Sequence, residues 1–511
     1  MITSSFIHKQ RLGNQLFIYA SLLGIAKKNN TVVNCIPRVA HYLKNTNRME
    51  ILDRDSDSVI YEEKSFSYDS VKLATNIVDY NLKGYFQSNK YFENIIPKFQ
   101  FEDYLAEKAD TILSKLPKKE TIAIHIRRGD YVDNPNYVLL PATYYITALI
   151  KYFPNYEDYN ILIFSDDIPY CRVHFSCLPN VYFSEGNDDI EDLVLMSRCK
   201  HFIISNSSYS WWGAYLGETE KSIIIRPEDY FEGKLLETHD IKDLYPVNWY
   251  AHNKYQLDLS DCTFMIPVKY DHKDRKKNLD LTVCMLQKDF YTNIRIGEMG
   301  NNVFRQMEKY NCSYTLFNMK LFHRTKMLND MTAMSYTPIV INYDADVIIP
   351  PMQMYLAVKA IRDGYHMVYP YDGRFARMDR KAWFLTIENR LDIGFVRNTV
   401  FKGMLEGVEN TSSVGGCVLF NRQAFLDGGG ENEEFISFGD EDNERYFRFK
   451  TLGYKVGKIK GCLYHMNHYT GVDSTTRNPY WKANRELWNK IKEMNKEELK
   501  QYIKDKFTWK K

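Results

Sequence analysis

No continuous apolar run in this chain reaches the roughly 18–20 residues that a membrane-spanning helix needs, so a spanning form is not expected. The first residues, from Met1 into Arg11-Leu12-Gly13-Asn14-Gln15, also lack the apolar core of a secretion signal. A cytoplasmic location is expected, with peripheral membrane attachment left open. The nine cysteines include no Cys-x-x-Cys pair and no zinc-ligand spacing; scattered and odd in number, they suit free thiols in a reducing compartment. Excess charge of one sign is missing too. With 67 basic against 65 acidic side chains the net charge is +2, which supplies no drive for counterion release and argues against nucleic acid as a partner. No repeat or low-complexity tract occurs.

What is present is length and alternation. The 511 residues exceed what one hydrophobic core usually supports, and two domains fit the motifs best. Short apolar runs alternate with helical patterns in both halves, which predicts α/β construction on parallel sheets. In the first half strands are expected at 31–33, 121–124, 160–165, 201–205 and 222–226, with a helix over 16–27 opened by a Gly13-Asn14-Gln15 turn. The polar segment 247–260 breaks the pattern, so the domains are drawn as 1–255 and 260–511. A new strand follows at 263–268, and 279–287, 294–297 and 338–342 continue the alternation. The last stretch, 480–511, carries an apolar helical stripe that is expected to dock on its own domain.

Directly after the apolar run 121–124 stands His125-Ile126-Arg127-Arg128-Gly129-Asp130-Tyr131. Two arginines at a strand's C-terminal end can offer forked donors to a diphosphate, and ligands of open α/β sheets sit at that edge. Asp130 would orient the arginines or the acceptor, or serve only a structural ion pair. The group Ser205, Asn206, Ser207, Ser208 and Ser210 precedes a helical segment and could form an anion nest, or simply an N-cap. His125 could titrate near pH 7, although a histidine at a strand end is more often a satisfied structural residue. Asp166 and Asp167 are adjacent rather than alternating, so no metal is expected in this half.

Arg11-Leu12-Gly13-Asn14-Gln15, the 125–131 segment, Phe164-Ser165-Asp166-Asp167 and Asn206-Ser207-Ser208-Tyr209-Ser210-Trp211-Trp212-Gly213, in that order, resemble the bacterial-type α-1,2-fucosyltransferase family. The resemblance covers about residues 5–250 and implies a GT-B-like Rossmann-type fold, GDP-fucose as donor and no cofactor. It implies that His125, Arg127, Arg128, Asp130, Asp166, Asp192, Asn206, Ser207, Ser208 and Ser210 bind donor, with Glu191 a further candidate. Asn14 and Gln15 fall on the acceptor side. An amide can position a hydroxyl there but cannot take its proton, and the general base of this half stays unidentified. Gln10 stands where members carry glycine.

The second half offers a different device. Tyr343-Asp344-Ala345-Asp346 follows the apolar run 338–342, and the two-residue strand period turns both carboxylates to one side, where they could share a divalent cation with a diphosphate. Around it lie Asp271, Arg275, Gly415-Gly416, Phe438-Gly439-Asp440-Glu441-Asp442-Asn443 and His465-Met466-Asn467-His468. This order is similar to inverting GT-A glycosyltransferases, particularly the galactosyltransferase-like group, over about residues 262–475. The similarity implies a mixed α/β domain that uses a UDP-hexose and Mn²⁺ or Mg²⁺. Asp344, Asp346 and His465 would hold the metal, with His468 a substitute for the last. Asp442 would be the general base and Glu441 would bind acceptor hydroxyls, although these carboxylates also read as an acidic helix start. Asp271, Arg275 and Glu298 would hold uracil and ribose, and Gly415 and Gly416 would let the backbone approach the sugar. For Arg324, Lys326 and Asn329, donor-phosphate contact and ordinary solvation are equally open. Phe438 replaces the group's usual tryptophan.

A bifunctional glycosyltransferase is therefore expected: the second half adds a hexose, galactose favoured, to a glycan acceptor, and the first caps it with α-1,2-linked fucose. The alternatives are a carbohydrate-binding or scaffold protein with an inactive half, and a transferase acting on protein hydroxyls.

Overall fold

The computed structural model describes residues 1–44, 58–74, 79–118, 120–300, 302–381, 405–409, 412–472 and 475–507. The end of the 480–511 stretch thus lies outside the described residues. The chain divides into two compact units, Met1–Cys171 with Pro179–Lys254, and Tyr255–Lys511 with Arg172–Leu178. Among the described residues no helix is long and apolar enough to cross a membrane.

The first unit opens with β1 (Ile2–Thr3), α1 (Leu12–Lys28), β2 (Val59–Glu62), β3 (Tyr80–Lys83) and α2 (Asp103–Ser114). β1, β3 and β2 form a small parallel sheet in that order. The strand expected at 31–33 shrinks to one bridge between Val33 and Ile2, because β1 is itself only two residues long. Then follow β4 (Thr121–Ile126), α3 (Ala142–Tyr152), β5 (Asn160–Ser165), α4 (Ile168–Phe175), which from Arg172 on is counted with the second unit, β6 (Val181–Phe183) and α5 (Asp189–Ser197). β7 (His201–Ile203), α6 (Ser208–Gly217), β8 (Ile224–Pro227), α7 (Gly233–Thr238) and β9 (Tyr250–His252) complete it. Six of these strands make a parallel sheet in the order β6-β5-β4-β7-β8-β9. The order reverses between β4 and β7, so the crevice of a doubly wound sheet opens at their C-terminal ends.

α1 begins four residues before the expected helix, and Gly13 and Asn14 lie in its first turn rather than in a preceding loop. Nearly all of its faces are buried, which is the signature of a core helix. A Cβ on Gly13 would stand 2.5 Å from the Tyr209 backbone N, so glycine there permits a close approach of α1 to the start of α6. Trp211 and Trp212 hold that approach from below: both are buried and pack on Phe17 of α1, at centroid distances of 4.5 and 5.2 Å.

The second unit runs β10 (Leu257–Lys269), α8 (Lys273–Asp289), β11 (Phe290–Met299), β12 (Ser313–Phe317), α9 (Arg324–Ala333), β13 (Ile339–Tyr343) and β14 (Val347–Ile348). It continues with α10 (Pro351–Arg362), β15 (Met367–Tyr369), β16 (Arg374–Met378), β17 (Leu405–Glu409), β18 (Cys417–Asn421), α11 (Arg422–Asp427) and α12 (Glu441–Leu452). β19 (Val456–Lys458), β20 (Cys462–His465), α13 (Trp481–Ile491) and α14 (Lys496–Lys506) close it. A seven-stranded mixed sheet, β12-β11-β10-β13-β18-β15-β19, carries the core, and a four-stranded one, β14-β20-β16-β17, flanks the site. β13 is buried throughout, as its continuous apolar sequence requires of a central strand. Ile491 and Leu499 of the last two helices are buried with Phe435, so this end docks on its own unit.

Candidate active sites

In the first unit, β4 delivers His125 to Asp130 to the crevice. Arg127 is 19% exposed; its Nη1 lies 2.7 Å from Asp166 Oδ2 and its Nη2 bonds Asp130, which also takes Arg11 at 3.0 Å. Burial works against the Arg127 charge, and the two carboxylates more than offset it. Gly129 admits the turn, since a Cβ there would stand 2.4 Å from Asp166 Oδ2.

The two arginines do not form the expected matched pair. Arg128 is 2% exposed, its Nε lies 3.1 Å from Asp167 Oδ2, and its guanidinium stacks 3.7 Å from the centre of the Tyr170 ring. That is a buried framework contact. Its backbone N donates to Asp166 Oδ1 at 2.9 Å, so Asp166 ties the turn together while facing Arg127. His125 bonds Ser205 through Nδ1 at 2.8 Å, and burial pushes its imidazole down to about 4, against the pull of Asp166. Of the two readings of His125, this geometry fits the satisfied structural residue rather than a group titrating near pH 7.

The serine-rich segment divides by function. Asn206 spends its amide N–H groups on the carbonyls of Val138 and Tyr230, each at 2.9 Å, and Ser210 turns to the Ser207 carbonyl, so both brace the loop. Ser207 is the N-cap of α6, accepting from Tyr209 N. Ser208 alone reaches across, donating to Asn14 Oδ1 at 2.6 Å. Gln87 Nε2 donates to the same oxygen at 2.8 Å. Asp192 accepts from Ser184 and Asn187, which fixes the loop before α5, and burial raises its carboxyl. Glu191 completes the capping box of α5 with Asp188 and pairs with Lys108. Both acidic groups thus have local structural duties. Gln87 has no motif to announce it, since only the fold carries it to Asn14.

In the second unit a cavity of about 460 Å³ gathers Asp271, Arg275, Arg324, Asp344, Asp346, Glu441, Asp442, His465 and His468. β13 ends at Tyr343, and Asp344 N donates to Gly416 O at 2.9 Å, which anchors the Asp-x-Asp turn to the start of β18. The two aspartates then part company. Asp346, with its side chain 6% exposed, faces Arg275, His465 and His468. One ligand atom from each of Asp346, His465 and His468 lies within 4.8 Å of the others, a donor set that fits a metal ion. Asp344 instead accepts from Arg324, at 2.8 Å from Nη2. The expected ligand set is thus revised: His468 stands beside His465, and Asp344 lies outside the cluster. Burial raises the Asp344 carboxyl, and Arg324 pulls the other way.

α12 begins at the cleft with Glu441 and Asp442. Arg445, fully buried, bonds Asp442 from inside and is held by Glu431, at 2.8 Å from Oε1, which accepts in turn from Asn342 of β13 at 2.6 Å. Arg324 Nη1 stands 3.6 Å from Asp442 Oδ1, so one cation faces both Asp344 and Asp442. Burial pushes the Glu441 carboxyl up to about 7, with Asp442 adding to the shift. Gly415 passes under Asp442, and a Cβ on it would stand 2.8 Å from Oδ2. Glu298 is corrected. It is fully buried and accepts from Val303 N, Phe304 N and Tyr314 Oη, which makes it the anchor of Val303 and Phe304. Asn329 bonds Glu431 O and Glu433 inside the fold, and Lys326 pairs with Asp330 on the surface.

With this geometry in hand the chain can be set beside known proteins. Residues 3–253 match glycosyl transferase family 11. Residues 406–471 match the family described as the N-terminal domain of galactosyltransferase. The chain thus joins a family 11 glycosyltransferase domain to a galactosyltransferase-like one. An O-antigen biosynthesis glycosyltransferase, WbnK, of Escherichia coli is 37% identical over 30% of this chain and 56% of its own length. An alpha-1,2-colitosyltransferase of the same organism is 34% identical over 31% and 58%. The galactoside alpha-(1,2)-fucosyltransferase 1 of Leontopithecus chrysomelas is 24% identical over 40% and 63%. The match therefore spans less than two thirds of each of these relatives.

Proposed function

We propose that this protein is a bifunctional glycosyltransferase that handles diphosphate charge in two ways. The observation that carries the reading is the contrast between the sites: a half-buried arginine at the switch point of one sheet, and a carboxylate with two imidazoles at the end of a central strand of the other. In the family 11 unit, read as GT-B-like, Arg127 faces the β-phosphate of GDP-fucose as charge develops on it, with no cofactor required. Asn14 orients the acceptor hydroxyl.

In the galactosyltransferase-like unit, read as GT-A, Asp346, His465 and His468 would hold Mn²⁺ or Mg²⁺. A cation there supplies neutralising charge to the departing UDP. Asp271 and Arg275 flank the same cavity and bind the nucleoside. Arg324 balances Asp344 and Asp442, so both stay in place while charge moves between donor and acceptor sides. Asp442 takes the proton of the acceptor hydroxyl as it attacks the anomeric carbon from the face opposite the nucleotide, and Glu441 holds neighbouring acceptor hydroxyls. Galactose is favoured as the hexose, and the fucosyl unit then acts on the product. Joining both units in one chain raises the local concentration of that intermediate.

A donor screen tests the reading. The full chain, and variants inactivated at Arg127 or at Asp442, are given GDP- and UDP-sugars, including a colitosyl donor, with a glycan acceptor. Transfer from a GDP-sugar that survives chelator, and from a UDP-sugar that does not, is expected. Equal loss of both would refute the contrast, and donor binding without transfer would favour a binding protein.

A further inference from the structure

The Asn14 amide is held by a chain of contacts that begins at a carboxylate outside every motif of the sequence. Glu63 directly follows β2, and its two oxygens each accept one backbone N–H: Oε2 from Tyr85 at 2.7 Å and Oε1 from Phe86 at 2.9 Å. The turn it grips is strained. Phe86 has φ 49°, a left-handed conformation unusual for a bulky side chain, and Gly84 has φ 155° with its α-carbon so close that an added Cβ would stand 2.3 Å from the Glu63 Cβ. The Phe86 ring is buried against Tyr91, and its carbonyl accepts from Ser21 of α1 at 3.1 Å. Two N–H groups converging on one carboxylate are the means by which such a turn keeps its shape.

The next residue, Gln87, is 5% exposed and donates to Asn14 Oδ1, which also accepts from Ser208. Two donors fill the lone pairs of that oxygen, which leaves Nδ2 as the part of the Asn14 amide free to donate to a ligand. Without Gln87 the amide could rotate and present its oxygen instead. Burial of Glu63 pushes its carboxyl up to about 7, a cost the fold bears to keep the group in this position.

We propose that Glu63 is a positioning residue for sugar transfer in the family 11 unit, acting through the 84–87 turn and Gln87 to aim the Asn14 amide at a hydroxyl of the glycan acceptor. The proposal rests on the fucosyl-transfer reading given above.

The test uses the full chain with Glu63→Gln, Gln87→Ala and the double variant, assayed with GDP-fucose and a β-galactoside acceptor. Glu63→Gln sets an NH₂ against one backbone N–H, so at least one of the Tyr85 and Phe86 amides should exchange hydrogen at least tenfold faster. The acceptor KM should rise about tenfold while the donor KM stays within twofold. Gln87→Ala, which leaves the turn gripped, should give the same acceptor defect, and the double variant should be no worse than Gln87→Ala alone. Unchanged acceptor kinetics in either single variant, defects that multiply in the double, or unaltered amide exchange in Glu63→Gln would overturn the proposal while transfer by the wild type stands. A wild type that transfers from no GDP-sugar would overturn the functional reading, and the proposal with it.

Discussion

His468 Nε2 lies 3.2 Å from Asp346 Oδ2, nearer than His465 Nε2, which is 3.6 Å from Oδ1. Both imidazoles therefore address one carboxylate, and the Met466 backbone N, donating to Asp346 O at 2.7 Å, ties the segment between them to the same residue. Imidazole donors favour first-row transition ions over Mg²⁺, which prefers oxygen and water. Titration with Mn²⁺, followed by electron paramagnetic resonance, is expected to show one site in this unit. His465→Ala and His468→Ala should each weaken it at least tenfold. Full Mn²⁺ affinity in the His468 variant would return the site to a single-histidine design.

Arg127 and Arg128 are adjacent in sequence and opposite in exposure, so their removal should be felt in different measurements. Arg127→Ala deletes a partly exposed guanidinium facing the crevice. A loss of about 10²–10³ in fucosyl turnover is expected, the size found when one preorganised donor is removed from a developing anion. Arg128→Ala removes the cation from a part-buried Asp167, which still accepts from Tyr170 N, and is expected to cost about 1.5–3 kcal/mol, the usual worth of a hydrogen bond to a charged group. For a unit of this size that lowers its melting temperature by roughly 3–12 °C. Calorimetry on both variants separates the roles, and an Arg128 variant that melts like the wild type would show that its pairing contributes little.

Those two arginines also mark where sequence reading ends. β4, β5 and β13 were legible because short, isoleucine-rich apolar runs suit a strand buried on both faces. The place of Asp344 and Asp346 at the end of a buried strand was legible, but the two-residue period misjudged their facing, because β13 stops at Tyr343 and the two carboxylates turn to different partners. The helix start at Glu441 and Asp442 was one of two readings of those carboxylates. Nothing local distinguishes Arg128 from Arg127, because the partner that buries it, Asp167, lies 39 residues on. Gly13 reads as a turn residue when met in sequence. Its actual reason is the Tyr209 backbone, nearly 200 residues away, against which only a helix without a Cβ can lie. Glu298 reads as a ligand group because a carboxylate at a strand end so often is one, and Asn206 and Asp192 because the family resemblance places them at the donor. Each instead satisfies backbone or neighbouring polar groups, a demand that only the folded loops reveal.

Glu441 should make the second unit sensitive to pH. Burial, then the nearby Asp442, raise its carboxyl from the ordinary 4.5 to about 7, so between those values the folded state holds a proton that the unfolded state has released. The stability this contributes is present in full below about pH 4.5 and is lost as pH rises through about 7. Glu441→Gln, which keeps the neutral form at all pH values, should leave the unit as stable as the wild type at pH 5 and more stable at pH 8, by on the order of 2 kcal/mol. Urea unfolding of both proteins at the two pH values reads the difference. A gap of equal size at both would mean that Glu441 does not titrate in this range.

Asp442 is held on three sides, by Arg445 from within, by Arg324 across the cleft and by the bare backbone of Gly415 beneath. The third contact offers a way to move the carboxylate without altering its chemistry. A Cβ at Gly415 would stand 2.8 Å from Asp442 Oδ2, and Gly415, unlike Gly416 at φ 79°, is not in the left-handed region, so its backbone tolerates alanine. Gly415→Ala should therefore displace the carboxylate while the fold survives. Misplacing a reacting group by about 1 Å can cost on the order of 10²-fold in rate, and a loss of that size in hexosyl turnover is expected, with UDP-sugar affinity nearly unchanged. Asp442→Asn, which keeps the position and removes the basicity, should be at least as severe. If Asp442→Asn turns over normally while Gly415→Ala does not, the space matters and the proton goes elsewhere, with Glu441 the nearest group able to take it.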